Sequence, residues 1–253
     1  MRLRRAYCPK KVDLLLVDGA GTLYDPGSRM PTKAFELAFR KLGLTVAPET
    51  INKFMGREKK EHTRAILAEP DTYGQFRKKY KRAPTEKDVA SIYGSVKDSL
   101  LVAAETVREI PGVYEAILDL RARGVKIVMT TGYDRETAQK IFSNLVRIGN
   151  ILDGIVTNSD VLQGRPAPFM LYRGMESASV YEVSHALNVG DTEADMRASD
   201  HARMAGILVT SGVVPDWESG AKIANKLGRE HLVLPSLVEV IEYVLDGSIY
   251  DRI

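Results

Sequence analysis

Val12-Asp13-Leu14-Leu15-Leu16-Val17-Asp18-Gly19-Ala20-Gly21-Thr22 is the stretch that decides the fold. The apolar run from Val12 to Val17 predicts a short buried β-strand with Asp18 at its carboxyl end. Open α/β sheets place their chemistry along that edge. A carboxylate there, followed by two glycines that free the backbone, has the form of a nucleophilic Asp in a phosphoryl-transfer loop.

Outward from that strand, residues 28–108 carry a helical pattern with no second strand. Ala34, Leu37, Ala38 and Lys41 outline one amphipathic helix closed by Gly43, and Thr85-Glu86-Lys87-Asp88 opens a longer one through Ile92, Val96, Leu100 and Ala103. Alternation then begins. A helix follows Pro111-Gly112, a strand runs Val125 to Met129, and a helix spans Thr137 to Leu145. Further strands are expected at Ile151 to Val156, Ala186 to Val189, Ile207 to Thr210 and Leu232 to Leu234, with a helix at Met170 to Ser177. Strands separated by helices predict a Rossmann-like, doubly wound parallel α/β sheet. The expected core is 1–27 with 109–253, and 28–108 is a helical cap inserted after the first strand.

The 253 residues are 44% apolar and 27% charged, ordinary for a globular chain with one large core. Cys8 is the single cysteine, so no internal disulfide forms, and it sits in a charged arm with no partner in view. The basic opening is followed by only the six-residue stretch Val12 to Val17, which is too short for a signal-peptide core or a membrane span. The expectation is a cytoplasmic protein without membrane contact. Net charge is +3, but residues 28–108 hold 17 Lys/Arg against 10 Asp/Glu. A positive insert over an acidic core attracts a small anionic substrate. The basic run Arg77 to Arg82, beside Phe76 and Tyr80, reads as a solvated helical surface. No nucleic-acid module accompanies it, so no nucleic-acid partner is expected.

Four motifs fall at strand ends. Asp18 is the first. Thr131-Gly132 offers a hydroxyl and a free N–H for phosphate oxygens, and Gly164-Arg165-Pro166 offers a guanidinium for the same oxygens. Gly190-Asp191-Thr192-Glu193-Ala194-Asp195 places two carboxylates at a strand-to-helix turn. With Asp18 these supply hard oxygen ligands for Mg²⁺. Each motif alone has a bland reading as a turn, a loop or a helix-start charge; their order makes the case. A fifth motif lies in the insert, Met55-Gly56-Arg57-Glu58-Lys59-Lys60-Glu61-His62. If helical, it brings Met55, Lys59 and His62 onto one face. A lysine with a depressed pKa forms an imine with a carbonyl compound and turns a poor carbon leaving group into an enamine. Charge from Lys60 or Arg57 would help depress it.

This set resembles the haloacid dehalogenase superfamily and, within it, the phosphonoacetaldehyde hydrolase (phosphonatase) branch. The resemblance covers nearly the whole chain. It rests on Asp18-x-Ala20-Gly21-Thr22, Met55-Gly56-x-x-Lys59-x-x-His62, Pro84-Thr85-Glu86, Thr130-Thr131-Gly132-Tyr133, Gly164-Arg165-Pro166 and Val189-Gly190-Asp191-Thr192-x-x-Asp195. The superfamily usually has a second Asp where this chain has Ala20, and Ala20 with Lys59 is specific to the branch. The resemblance implies C–P bond hydrolysis through a Lys59 Schiff base and an Asp18 aspartyl-phosphate. It implies Mg²⁺ on Asp18, Asp191 and the Ala20 carbonyl, with Asp195 as a further candidate. It implies phosphoryl binding by Thr131, Gly132 and Arg165, a proton relay at His62, a pocket wall at Met55 and a homodimer through the cap. The chain departs from the pattern at Gly19, where an aromatic is usual, at Leu23 for Thr, and at Ser28 for Cys. The region 202–206 lacks the usual Gly-Met-Trp run. Two other readings stand beside this one: a Mg²⁺-dependent phosphatase of small phosphate esters, and a non-catalytic binding protein that keeps the fold.

Overall fold

β1 (Leu14–Asp18) is buried along its whole length because it lies at the centre of a parallel sheet. The computed structural model describes residues 11–25, 27–227 and 231–246; Cys8 and its basic arm fall outside them. On one side β1 pairs with β2 (Lys126–Thr131), which pairs with β3 (Gly154–Thr157). On the other side lie β4 (Ala186–Gly190), β5 (Ala205–Val209) and β6 (Leu232–Leu234). The order β3-β2-β1-β4-β5-β6 reverses direction at β1, which creates the crevice where such sheets bind ligands. Asp18 sits at that reversal, in register with Thr130.

Alternate residues of β1 face opposite layers, as strand geometry requires. Leu15 and Val17 join one apolar cluster, and Leu14 and Leu16 the other. A strand buried on both faces reads as an unbroken apolar run, which is why the sequence showed it so plainly.

Helices α1 (Arg29–Lys41), α2 (Pro48–Asn52), α3 (Lys59–Ala68), α4 (Pro70–Tyr80) and α5 (Glu86–Ala103) lie between β1 and α6 (Val113–Ala122). The remaining helices are α7 (Arg135–Asn144), α8 (Val146–Gly149), α9 (Phe169–Ser177), α10 (Glu193–Ala202), α11 (Trp217–Leu227) and α12 (Leu237–Leu245). Thr85 and Asp88 form a reciprocal capping box that starts α5. Phe35 and Phe39 of α1 share one apolar cluster with Ile92 and Val96 of α5 and with Leu15 and Val17 of the sheet.

Several expectations are corrected. β1 begins at Leu14 rather than Val12, and β3 begins at Gly154 rather than Ile151. Ile151 and Leu152 instead pack against the core after α8. Leu37 stands outward at 38% exposure, while Phe35 and Phe39 take the buried face of α1. Phe76 is buried, and the Tyr80 hydroxyl donates to the Leu42 carbonyl at 3.2 Å, so the aromatics of the basic run are committed to packing. Among the described residues, no helix is long and apolar enough to cross a membrane.

Candidate active site

Asp18, at the end of β1, is 6% exposed and pairs with Arg165 Nη1. The same Nη1 lies 2.8 Å from Asp195 Oδ1, and Nη2 donates to the Thr130 carbonyl at 3.0 Å. Arg165 reaches back from the loop after β3, so the guanidinium is fixed on three sides beside Asp18. Thr131 ends β2, and Gly132 follows it into the same cavity.

At the end of β4, Asp191 Oδ2 accepts from Ser28 Oγ at 2.9 Å and from the Val213 N–H at 2.7 Å. Ser28 Oγ also lies 3.2 Å from the Ala20 carbonyl oxygen, so its one proton is shared between the two acceptors and three loops meet there. Asp191 Oδ1 is buried with no hydrogen-bond partner. Asp195 differs: the Thr192 N–H and hydroxyl donate to Oδ2, and Arg165 pairs with Oδ1. Its Oδ2 is hydrogen-bonded and its Oδ1 is ion-paired without a hydrogen bond, which makes it an anchor for Arg165.

Burial pushes the Asp191 carboxyl well above the usual carboxylate range, and the charges of Asp18 and Asp195 add to that. Burial likewise raises Asp195, to about 6, against the pull of Arg165. Asp18, Asp191 and Asp195 bring ligand oxygens within 4.8 Å of one another. Three buried carboxylates beside one guanidinium, with a free acceptor on Asp191, fit a divalent cation.

From the insert comes Lys59, 5% exposed, at the first residue of α3. Glu58 caps that helix by accepting from the Lys60 and Glu61 N–H groups. The Lys59 ammonium lies 3.8 Å from Met55 Sδ and 4.9 Å from the centroid of the Tyr133 ring. Its pKa is lowered to about 8, chiefly by burial and with help from Arg165, against the opposing charges of Asp18 and Asp191. The depressing cation is therefore Arg165, in place of the Lys60 or Arg57 expected from sequence.

The helical-face expectation for Met55, Lys59 and His62 is corrected at Met55, while Lys59 and His62 share the buried face of α3. Met55 precedes α3 in a turn where Gly56 takes φ +82°, and the turn itself brings Met55 to Lys59. His62 Nε2 donates to the Ile51 carbonyl at 2.8 Å, and its ring lies 4.1 Å from that of Phe35. Burial pulls its pKa well below the usual histidine value, so it stays neutral.

Asp18, Ala20, Met55, Lys59, Thr131, Gly132, Arg165 and Asp191 line one cavity with Ser28, Tyr133 and Thr192. Asp195 stands behind Arg165, and neither it nor His62 is part of the lining. Sequence reading gave no role to Ser28, Tyr133, Thr192 or the Val213 N–H. Tyr133 and Thr192 stand inside motifs it quoted, so their position was the available signal. Val213 acts through its backbone and left none.

Gly56 packs closely against the residue that caps α10. A Cβ there would lie 2.3 Å from Thr192 Oγ1, and φ is already left-handed. Gly56→Ala is therefore expected to destabilise the protein by about 1–2 kcal/mol or more, read by urea unfolding. Unchanged stability would mean that this turn is free to move off the core.

Residues 17–209 match the haloacid dehalogenase-like hydrolases. The chain belongs to this family. Phosphonoacetaldehyde hydrolase of Bacillus cereus (strain B4264) is 34% identical over 241 residues, 94% of this chain and 90% of its own. That of Bacteroides fragilis is 35% identical over 204 residues, 80% and 78% of the two chains. In three dimensions a phosphonoacetaldehyde hydrolase-like protein from Oleispira antarctica superposes with a TM-score of 0.87 at 24% identity, covering 100% of this chain and 99% of its own. At that identity the superposition establishes the shared fold. The chain is a hydrolase of this family on a six-stranded parallel sheet, as expected from its motifs.

Proposed function

We propose that this protein hydrolyses the C–P bond of phosphonoacetaldehyde or a close aldehyde phosphonate, giving acetaldehyde and phosphate. One observation carries the reading: the buried amine of Lys59, with its pKa lowered to about 8, opens onto the cavity that holds Asp18. The names of the Bacillus and Bacteroides relatives support it.

Neutral Lys59 adds to the aldehyde carbon, and loss of water leaves an imine, protonated to an iminium. An Asp18 oxygen attacks phosphorus. The electron pair of the breaking P–C bond moves into a C=C bond, and the iminium nitrogen takes up the displaced pair, giving an enamine. Water hydrolyses the aspartyl-phosphate to phosphate and Asp18. The enamine carbon takes a proton, and hydrolysis of the resulting imine frees acetaldehyde and Lys59. A carbon leaving group stabilised in this way needs no oxygen-protonating acid, which suits Ala20 at the position where an ester phosphatase needs a carboxyl.

Arg165, Thr131 and the Gly132 N–H hold the phosphoryl oxygens in this scheme, and Asp195 keeps Arg165 aimed. Mg²⁺, held by Asp18, Asp191 and the Ala20 carbonyl, would supply positive charge to the phosphoryl oxygens. Asp191 Oδ1 is the free acceptor that suits it. Met55 walls the amine. His62, neutral and bound to the Ile51 carbonyl, fixes the start of the turn that carries Met55 and is not among the residues lining the cavity.

The cavity measures about 20 Å³, room for about one water molecule. Substrate admission therefore requires the helical insert to part from the core, with closure excluding water. A cleft of about 480 Å³ between Phe54, Arg57, Pro166 and Ile223 shares Met55 and Thr192 with the cavity and is the approach route.

Phosphonoacetaldehyde should yield phosphate and acetaldehyde in equal amounts, with activity lost to EDTA and restored by Mg²⁺. Turnover of phosphate esters with none of phosphonoacetaldehyde would overturn the reading in favour of an ester phosphatase.

A further inference from the structure

Gly19 follows Asp18 without a side chain, and the space one would fill is occupied. A Cβ on Gly19 would lie 2.6 Å from the hydroxyl oxygen of Tyr24 and 3.0 Å from its Cζ. The ring arrives there through a tight turn in which the Gly21 N–H donates to the Tyr24 carbonyl at 2.7 Å. Phe142 holds it edge-on at 6.1 Å. Tyr24 is fully buried, and its hydroxyl has no hydrogen-bond partner in the structure. A buried phenol without a partner is costly, so such a group signals a partner gained in another state.

That hydroxyl faces the Thr131 side chain, within reach of a hydrogen bond that the unliganded geometry does not complete, and the charges of Asp18, Asp25 and Arg165 act on it. Burial first, and then the charge of Asp18, push the phenol well above its usual pKa, so it keeps its proton and remains a donor. Thr131 Oγ1 already accepts from the Tyr133 N–H at 3.2 Å. A hydroxyl has two acceptor positions and one proton. With the second acceptor position filled by a phenol, the proton of Thr131 has one direction left, into the cavity it lines.

We propose that Tyr24 is a positioning residue: it donates to Thr131 Oγ1 when a phosphoryl group occupies the cavity, and so aims the Thr131 proton at a phosphoryl oxygen. The inference rests on the phosphoryl-binding role given above to Thr131. It does not depend on C–P cleavage. It also gives the bare Gly19 a purpose, since any side chain there would displace the phenol.

The test is the affinity for inorganic phosphate in the presence of Mg²⁺, by calorimetry, for wild type, Tyr24→Phe, Thr131→Val and the double variant. Tyr24→Phe should weaken phosphate about fivefold to tenfold without lowering the melting temperature, because the hydroxyl it removes has no partner in the unliganded fold. In the Thr131→Val background the same change should cost nothing further. In a Thr131→Ser background, which keeps the hydroxyl, the full loss should return. Tyr24→Phe binding phosphate like wild type, or losses that multiply in the double variant, would overturn the proposal. So would a wild type that binds no phosphate, which would also remove the role of Thr131. Phosphate binding with the expected coupling, but no release of phosphate from phosphonoacetaldehyde, would overturn the substrate alone.

Discussion

Lys59→Met is expected to abolish phosphate release from phosphonoacetaldehyde and, at the same pH, to make the protein more stable. The loss is that of a covalent centre, about 10⁴-fold or more in kcat/KM. The gain follows from linkage. Lys59 has its pKa lowered from 10.5 to about 8, chiefly by burial. A tenfold change in proton affinity corresponds to about 1.4 kcal/mol, so holding this amine protonated in the fold costs up to about 3 kcal/mol. That cost is fully present below about pH 8, where folded and unfolded chains both carry the proton. It fades as pH rises from there towards the ordinary lysine value. Met fills nearly the same space without charge, and it forfeits the contact with the Tyr133 ring, worth about 0.5–1 kcal/mol. The net expectation is a gain of about 1–3 kcal/mol near neutral pH that shrinks in alkali, measured by urea unfolding at several pH values. A destabilised Lys59→Met would mean that the amine is paired rather than penalised. The same titration sets the pH dependence of imine formation in the wild type. The neutral amine is the nucleophile, so the rate should rise with pH and level off above about 8.

Asp18→Asn should cut phosphate release by a similar factor while leaving the lysine chemistry intact. The amide cannot form an aspartyl-phosphate, and it removes one of three clustered carboxylates. Because the charge of Asp18 raises both Asp191 and Asp195, their carboxyls should ionise at lower pH in the variant. Borohydride with phosphonoacetaldehyde should then fix an adduct on Lys59 that still carries phosphorus, because imine formation precedes cleavage. The wild type should give an adduct that has lost it. Mass spectrometry separates the two. Residual phosphate release from Asp18→Asn above about 1% of wild type would contradict a nucleophilic Asp18.

The sequence made the strand-end chemistry legible because buried parallel strands appear as plain apolar runs and their motifs stand directly after them. Asp18, Thr131, Arg165 and Asp191 line one cavity since the sheet order puts β1 beside both β2 and β4. The insert was less legible. Spacing placed Met55, Lys59 and His62 on one helix, but the left-handed Gly56 ends that pattern and Glu58, a residue type outside the usual caps, begins α3. His62 stays in α3 with Lys59, its ring packed on Phe35 and bonded to the Ile51 carbonyl. Tyr24 gave no signal, because an aromatic in a short loop reads as ordinary packing until its neighbour Gly19 is seen in three dimensions. The division of labour between Asp191 and Asp195 was also hidden, for spacing alone cannot tell an oxygen left free from one held by Thr192 and Arg165.

The most direct measurement is mass spectrometry of the wild-type protein mixed with phosphonoacetaldehyde and borohydride, with Lys59→Arg alongside. An adduct confined to Lys59, absent from the variant, with phosphate released in the unreduced control, is the expected result. No adduct at Lys59 and no phosphate release would contradict the proposed chemistry.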